Sequence, residues 1–212
     1  MKTMNQKFWM SLALAVSAVV GLSGCAPVMI GGAVMGGLVA TDRRTPGIQL
    51  EDETIELRSA RFIRENFGER VHVNITSYNR QVLLTGEVPS LQDKKAVELV
   101  VSRVENLRTI VNELVVAPVS TLSQRSSDAL ITGKARASMV DTKDLFANAF
   151  KLVTERSTIY LMGRVTKREA DRATEIARST GNVQKVVRLF EILTEDELKG
   201  LIPPPAKSDA RK

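Results

Sequence analysis

The chain has 212 residues, a formal net charge of +6 and 43% hydrophobic residues, so it is long enough for one or two domains. It contains one cysteine and one histidine, which excludes a disulfide within one chain and a zinc site built from several Cys and His side chains.

Residues 1–24 have the pattern of a bacterial secretion signal, with Lys2 and Lys7 before an apolar run over residues 8–22. The run is too short for a convincing transmembrane helix. It ends in Leu22-Ser23-Gly24-Cys25, which resembles the bacterial lipobox. That resemblance implies a diacylglyceryl group on the thiol, cleavage before the cysteine and an N-acyl group on the new amine. The alternative is an ordinary signal peptide that happens to end at a cysteine.

Acylation would hold the mature protein firmly on a membrane, since two lipid signals already give stable anchoring. Ala26 follows Cys25 at the position where, in enteric-type sorting, an aspartate favours retention in the inner membrane. The outer membrane is therefore the predicted location. The mature net charge falls to +4 because cleavage removes Lys2 and Lys7.

Residues 25–50 are predicted to comprise the acylated cysteine and a tether. Residues 26–41 are small and apolar, with four glycines, and are too few to span a bilayer. They form either a flexible tether or a glycine-rich dimerisation surface. Residues 42–47 are predicted to be a polar turn that closes the tether.

The first predicted domain covers residues 51–117 in the order α-β-β-α-β. Apolar periodicity, capping residues and turn residues define its elements. These are a helix capped by Asp52 that ends near Asn66, strands over 71–76 and 81–85, a helix over 90–104 and a strand over 109–116.

The second predicted domain, residues 123–193, repeats this order after a linker over residues 118–125. Its elements are a helix over 126–140 opened by Ser126, Ser127 or Asp128, strands over 150–154 and 158–162, a helix over 166–179 and a strand over 185–192. Residues 194–212 contain three consecutive prolines and are predicted to be a disordered tail.

Residues 82–96 and 159–173 align without a gap at an offset of 77, which indicates an internal duplication. In each copy a β-type apolar run ends at a glycine, Gly86 or Gly163. The glycine is predicted to stand where a side chain would clash or where φ must be unusual. A capping pattern and a helix follow. The prediction is an α+β fold of two tandem units, each a three-stranded mixed sheet covered by two helices.

Charge differs between the units. Residues 51–117 hold 9 Lys/Arg and 11 Asp/Glu, whereas residues 123–193 hold 13 Lys/Arg and 8 Asp/Glu. The second unit therefore suits an anionic partner. A nucleic acid would fit this sign, but an exported, lipidated chain should rarely meet one, so no nucleic-acid partner is predicted.

Little catalytic chemistry is visible. His72 lies on an alternating strand and is predicted to point to solvent; the carboxylates are scattered, and no phosphate-binding loop is present. The chain is predicted to be a non-enzyme without a catalytic residue or metal. No cofactor is predicted apart from the covalent acyl groups on Cys25.

The best binding candidate is the first helix of the second unit. Helical periodicity places Ile131, Ala135, Ser138 and Met139 toward the sheet and Leu130 beside Lys134 on a flank. An exposed apolar residue beside a lysine suits an anionic lipid surface. The alternative is that Leu130 belongs to the core or to a contact between the units.

The repeated α-β-β-α-β unit resembles the BON domain. The order of lipobox, tether, Thr41-Asp42-Arg43-Arg44 and two units resembles that of dual BON-domain outer-membrane lipoproteins, from Cys25 to about Leu193. Further matching segments are Val82–Gly86 and Ile159–Gly163. The resemblance implies a non-enzymatic lipoprotein that faces the periplasm and supports envelope integrity.

The same resemblance implies that the second BON domain binds anionic phospholipid, such as phosphatidylglycerol or cardiolipin. The implied lipid-binding residues are Leu130, Ile131, Lys134 and Arg136. Relatives place an aromatic residue where Leu130 stands. The alternative function is a protein-interaction scaffold that assists outer-membrane protein assembly, through the acidic first unit or an exposed sheet edge.

Overall fold

The structure is a computed structural model that describes residues 42–201, which belong to one compact unit. The predicted signal, the lipidation site Cys25 and the tether through residue 41 lie outside the described residues. So does the tail from residue 202.

The first repeat is built around a central strand, β2, which pairs antiparallel with β1 and parallel with β3 and β4. Its elements are α1 (Pro46–Phe67), a 3₁₀ turn (Gly68–Arg70), β1 (His72–Tyr78), β2 (Gln81–Val88), α2 (Leu91–Val101), β3 (Thr109–Asn112) and β4 (Val115–Val116).

The second repeat has the same plan around its central strand β6, which pairs antiparallel with β5 and parallel with β7. Its elements are α3 (Leu122–Val140), a 3₁₀ turn (Ala147–Ala149), β5 (Phe150–Glu155), β6 (Thr158–Thr166), α4 (Lys167–Ser179) and β7 (Lys185–Leu193), followed by α5 (Glu195–Leu201). The predicted α+β fold with two αββαβ units and mixed sheets is confirmed.

Each sheet is covered by its two helices on one face and by the other sheet on the opposite face. Val82 and Leu84 of β2 join the helix-side core of the first repeat. Leu83, between them, packs instead with Tyr78 against Tyr160 and Met162 of the second sheet. The central strands are thus apolar on both faces, as strands buried on both sides are. The two repeats meet through their sheets.

Both first helices begin earlier than predicted. α1 begins at Pro46, with Thr45 as its N-cap, and α3 begins at Leu122, with Thr121 as its N-cap. Asp52 therefore caps no helix, and the prediction of that role was wrong. Proline is well tolerated in the first helical turn because its missing N–H would have no partner there.

Asp52 and Asp128 instead hold the hairpin turns of their repeats. Asp52 accepts hydrogen bonds from the amides of Asn79 and Arg80, and Asp128 accepts from the amides of Arg156 and Ser157. All four turn residues have positive φ, the conformation of a tight hairpin turn whose amides need an acceptor. A buried carboxylate on the first helix thus fixes each hairpin.

The last strand differs between the repeats. The prediction of one strand over 109–116 was wrong, because the first repeat breaks it between Asn112 and Val115, where the Asn112 side chain accepts the Leu114 amide. β7 runs without a break. The predicted disordered tail was also wrong in its first part, since Glu195–Leu201 is helical and buries Leu198.

The repeated glycines allow a close approach of the antiparallel neighbour. A Cβ at Gly86 would lie 2.1 Å from the His72 carbonyl oxygen, and the φ of Gly86 is +114°. A Cβ at Gly163 would lie 2.6 Å from the Ala149 carbonyl oxygen. Any side chain at either position would displace the neighbouring strand.

Candidate functional site

The candidate lipid-binding helix, α3, is fixed at its start by a capping box. The Thr121 hydroxyl accepts the Gln124 amide, and the Gln124 side chain accepts the Thr121 amide. Asp128, Ile131, Ala135 and Met139 form its buried side. The remaining surface of α3 is therefore held in a defined orientation.

The outward side of α3 exposes three large apolar side chains and no acid. Leu122, Leu130 and Val140 are 79%, 66% and 63% exposed and lie within an arc of about 80°. The only acidic residue of the helix, Asp128, is buried. Lys134 is exposed beside Leu130 and forms no ion pair with a described residue. The alternative placement of Leu130 in the core is thus excluded.

The structure does not bring the four implied lipid-binding residues together. Ile131 is only 2% exposed and packs in the helix-side core of the second repeat, so its assignment as a lipid contact was wrong. Arg136 is exposed but lies about 160° around the helix from Lys134. Leu130 and Lys134 are the pair that shares one surface.

Arg136 lines a hollow at the junction of the repeats. Its lining residues are Asp42, Arg44, Gln49, Tyr78, Arg136, Asn148, Phe150 and Lys151. The segment that leads from the predicted tether into α1 therefore runs beside the candidate helix.

That segment, Asp42-Arg43-Arg44, binds both repeats. Arg43 donates two hydrogen bonds of 2.7 Å to the Glu169 carboxylate at the start of α4, and one to the Arg164 carbonyl. Arg164 donates in return to the Arg43 carbonyl. We call these contacts the arginine clamp. Burial alone would raise the pKa of Glu169, but the Arg43 and Thr166 hydrogen bonds outweigh it and lower that pKa.

Arg44 holds the first repeat. It pairs with Asp52 and Asp42, each at 2.8 Å, and its guanidinium carbon lies 4.3 Å from the centre of the Tyr78 ring. Burial would lower the pKa of Arg44, but its hydrogen bonds to both aspartates raise it. The sequence predicted only a polar turn here. The available signal was two adjacent arginines directly before a helix, facing buried acids elsewhere in the chain.

A buried polar cluster lies where the repeats meet at the other end of β1, the end that begins at His72. His72 does not point to solvent as predicted, because its Nδ1 lies 2.9 Å from Oε2 of Glu87. Glu87 is 0% exposed and also accepts the Ser120 amide and a 3.4 Å contact from Arg156. Glu155, 6% exposed, accepts from Asn74.

The pKa values of the two buried glutamates are shifted in opposite directions. Burial raises the pKa of Glu155, and the charge of Glu87 raises it further against a single hydrogen bond from Asn74. For Glu87, burial is outweighed by hydrogen bonds from His72, the Ser120 amide and Arg156, which lower its pKa. The sequence signal for this cluster was a glutamate directly after Gly86, the one charged residue of β2.

Among residues 42–201, no helix is both long enough and apolar enough to cross a membrane.

Comparison with known proteins defines the class of the protein. The model of the BON domain family matches twice, over residues 51–118 and 127–194. The chain belongs to the BON domain family and contains two copies of the domain.

Two relatives extend this result. The chain is 33% identical over 184 residues to Outer membrane lipoprotein DolP of Haemophilus influenzae, covering 86% of this chain and 95% of that protein. It is 28% identical to the 21 kDa hemolysin of Actinobacillus pleuropneumoniae, over 70% of this chain and 78% of that one. The predicted resemblance to dual BON-domain proteins of the DolP type is confirmed.

A solved structure of CdsD, a structural protein of the type III secretion system of Chlamydia trachomatis, covers 68% of this chain and 95% of its own. Its identity is 12% and its TM-score 0.29, values too low for anything to follow from them.

Proposed function

We propose that this protein is an outer-membrane lipoprotein, anchored through Cys25 and facing the periplasm, whose second BON domain binds anionic phospholipid. In this role it preserves outer-membrane integrity without catalysing a reaction. The observation that carries the proposal is the surface of α3, which exposes Leu130 and Lys134 side by side and no carboxylate. The similarity to an outer membrane lipoprotein supports the location.

Two interactions would favour the binding of α3 to an anionic membrane. Burying an exposed leucine in the acyl-chain boundary is favourable by about 1.5–3 kcal/mol when the burial is complete. A basic residue near an anionic surface adds about 1 kcal/mol. α3 supplies both on one side, and it is already folded, so binding requires no ordering of the helix.

Vesicle flotation tests this proposal. The chain from residue 41 onward, without its anchor, should float with phosphatidylglycerol vesicles and not with phosphatidylcholine vesicles, and salt should weaken the binding. Leu130→Glu and Lys134→Glu should each reduce flotation. Equal flotation of wild type and both variants would contradict the assignment of α3.

A matched control comes from the first repeat. Arg58 of α1 occupies the position that corresponds to Lys134 and is paired with Glu105 at 3.2 Å. Arg58→Glu changes the net charge of the protein by the same amount as Lys134→Glu. If it reduced flotation as much as Lys134→Glu, the binding would depend on net charge and not on α3.

A second candidate function is a scaffold for outer-membrane protein assembly. It is favoured by the edge of the first sheet, where Val115, Val116 and Val119 are 38–49% exposed beside a strand edge that pairs with no strand among residues 42–201. A photo-crosslinker at Val116 should then capture one envelope protein in cells. Retention of that crosslink in a Lys134→Glu background would separate this function from lipid binding.

A further inference from the structure

We propose that His72, Glu87 and Glu155 form a binding site for one divalent transition-metal ion, with Zn²⁺ as the test ion. Each residue offers one ligand atom, and these three atoms lie within 4.8 Å of one another. His72 and Glu87 face each other across β1 and β2, whereas Glu155 ends β5 in the second repeat. The site draws on both domains.

The geometry is close to that of a bound metal. Zinc takes imidazole nitrogen at about 2.0–2.1 Å and carboxylate oxygen at about 2.0–2.2 Å, so tetrahedral ligand atoms stand roughly 3.3 Å apart. The 2.9 Å separation of His72 Nδ1 and Glu87 Oε2 would open slightly. The longest separation, at most 4.8 Å, would close by a side-chain rotation of Glu155.

The chemistry of the donors selects the class of metal. One imidazole and two carboxylates suit Zn²⁺ and similar ions, whereas Mg²⁺ prefers an all-oxygen octahedron with several waters. Three protein ligands leave the fourth position of a tetrahedral ion to water.

The electrostatics of the cluster also favour a cation. Glu87 and Glu155 are buried carboxylates whose charges repel each other, and Glu155 accepts its one hydrogen bond, among residues 42–201, from the neutral Asn74. Arg156 reaches Glu87 only at Oε1, 3.4 Å away. Oε2, which faces His72, accepts one amide, that of Ser120, and a carboxylate oxygen with one such bond can still coordinate a metal through its other lone pair. The Arg156 side chain is 42% exposed and can move toward solvent.

The second repeat provides an internal contrast. At the offset of 77, the positions of His72, Glu87 and Glu155 correspond to Ala149, Arg164 and Tyr78. The pseudo-equivalent place holds an arginine, an alanine and a phenol, which cannot form the same donor set. A metal ion would therefore bind at one end of the contact between the sheets.

The test uses the full chain in detergent after removal of metals with EDTA. Because His72 is the only histidine, the ¹⁵N signals of the imidazole report on this site alone. One equivalent of Zn²⁺ should shift them and raise the melting temperature, since the metal binds only the folded pair of domains. The same concentration of Mg²⁺ should leave them unchanged.

Isothermal titration of variants completes the test. His72→Gln and Glu155→Gln should each weaken Zn²⁺ binding at least tenfold, while Glu56→Gln, which alters an interdomain carboxylate outside the cluster, should leave it unchanged. Imidazole signals that ignore Zn²⁺, or Zn²⁺ binding that survives both variants, would overturn the proposal. Should the variants fail to fold, the wild-type imidazole spectrum decides alone.

Discussion

Helices α1 and α3 hold the same position in the two repeats and differ in what they turn outward. Their buried sides are alike, with Asp52 matching Asp128 and Ile55 matching Ile131. On the outward sides, Glu53 of α1 corresponds to Ala129 of α3, and Thr54 corresponds to Leu130. Packing against a sheet restricts the inner side of a helix, while the outer side is free to become a binding surface.

The strongest contrast between the repeats is expected at their two hairpin aspartates. Asp52→Ala removes the acceptor for two turn amides, for the Ser77 hydroxyl and for Arg44, and should cost about 4 kcal/mol of unfolding free energy. Asp128→Ala removes the two amide bonds and should cost about 2 kcal/mol. Urea unfolding at pH 7 measures both. Equal losses would show that neither Arg44 nor the Ser77 hydroxyl adds stability through Asp52.

The arginine clamp should give the next largest effect. Arg43→Ala leaves Glu169 buried without its cation and should destabilise the protein by about 3 kcal/mol. Arg172→Ala, which removes an exposed pair with Glu175, should change stability by less than about 0.5 kcal/mol.

The clamp also predicts a pH dependence. A lowered pKa of Glu169 contributes stability above the unfolded-state pKa, and this contribution is lost as the pH falls through the lower folded-state pKa. Arg43→Ala raises the folded pKa, so the difference between wild type and variant should shrink on acidification below about pH 4.3, the ordinary value for glutamate. A constant difference from pH 7 to pH 3 would contradict this account.

Giving α3 the charge pattern of α1 should have a smaller effect, confined to lipid binding. Ala129→Glu introduces the residue that α1 carries at the corresponding position, on the exposed side. Repulsion from anionic lipid should weaken vesicle binding by about 1 kcal/mol, roughly fivefold, with unfolding unchanged. Unaltered binding would indicate that lipid contacts another surface.

The smallest effect is expected from Glu155→Gln in EDTA. The raised pKa of Glu155 means that the folded state holds this proton more tightly, so stability falls as the pH rises from the unfolded to the folded pKa. Glutamine removes that penalty, so the metal-free variant should be slightly more stable than wild type at pH 7 and equal to it at low pH. A less stable variant at pH 7 would show that the ionised carboxylate is favourable there.

The sequence predicted the architecture well, because the order of strand and helix patterns repeats at an offset of 76 or 77 residues. The capping pair Ser90 and Asp93 recurs in the same way as Thr166 and Glu169. It misplaced the start of α1 because a buried aspartate in the first helix has the local appearance of an N-cap. It placed Leu130 and Lys134 on one side of α3, because helical periodicity determines the angle between two residues of the same helix.

What the sequence could not provide were contacts between distant segments. The pairing of Arg43 with Glu169 spans 126 residues, and His72 meets Glu155 only because the sheets pack face to face. Periodicity describes one element at a time. It assigned His72 to solvent because nothing local indicates that the second face of β1 is also covered.

The arginine clamp has a consequence for how weak the lipid site can be. It fixes the first described residues beside α3, and Arg43 lies only 18 positions after Cys25. A segment of that length spans at most about 65 Å even when fully extended. An acylated Cys25 would thus confine α3 to a thin layer above the bilayer.

Within that layer, lipid binding by α3 would be an intramolecular event, because the anchor already holds the helix near the membrane, and its effective concentration would be raised accordingly. A contact too weak to recruit a free protein would then be occupied most of the time. Leu130, although smaller than an aromatic residue, would then be enough to keep α3 on the membrane. Because its contribution to binding is modest, the domain could dissociate and rebind while the anchor stays in the bilayer.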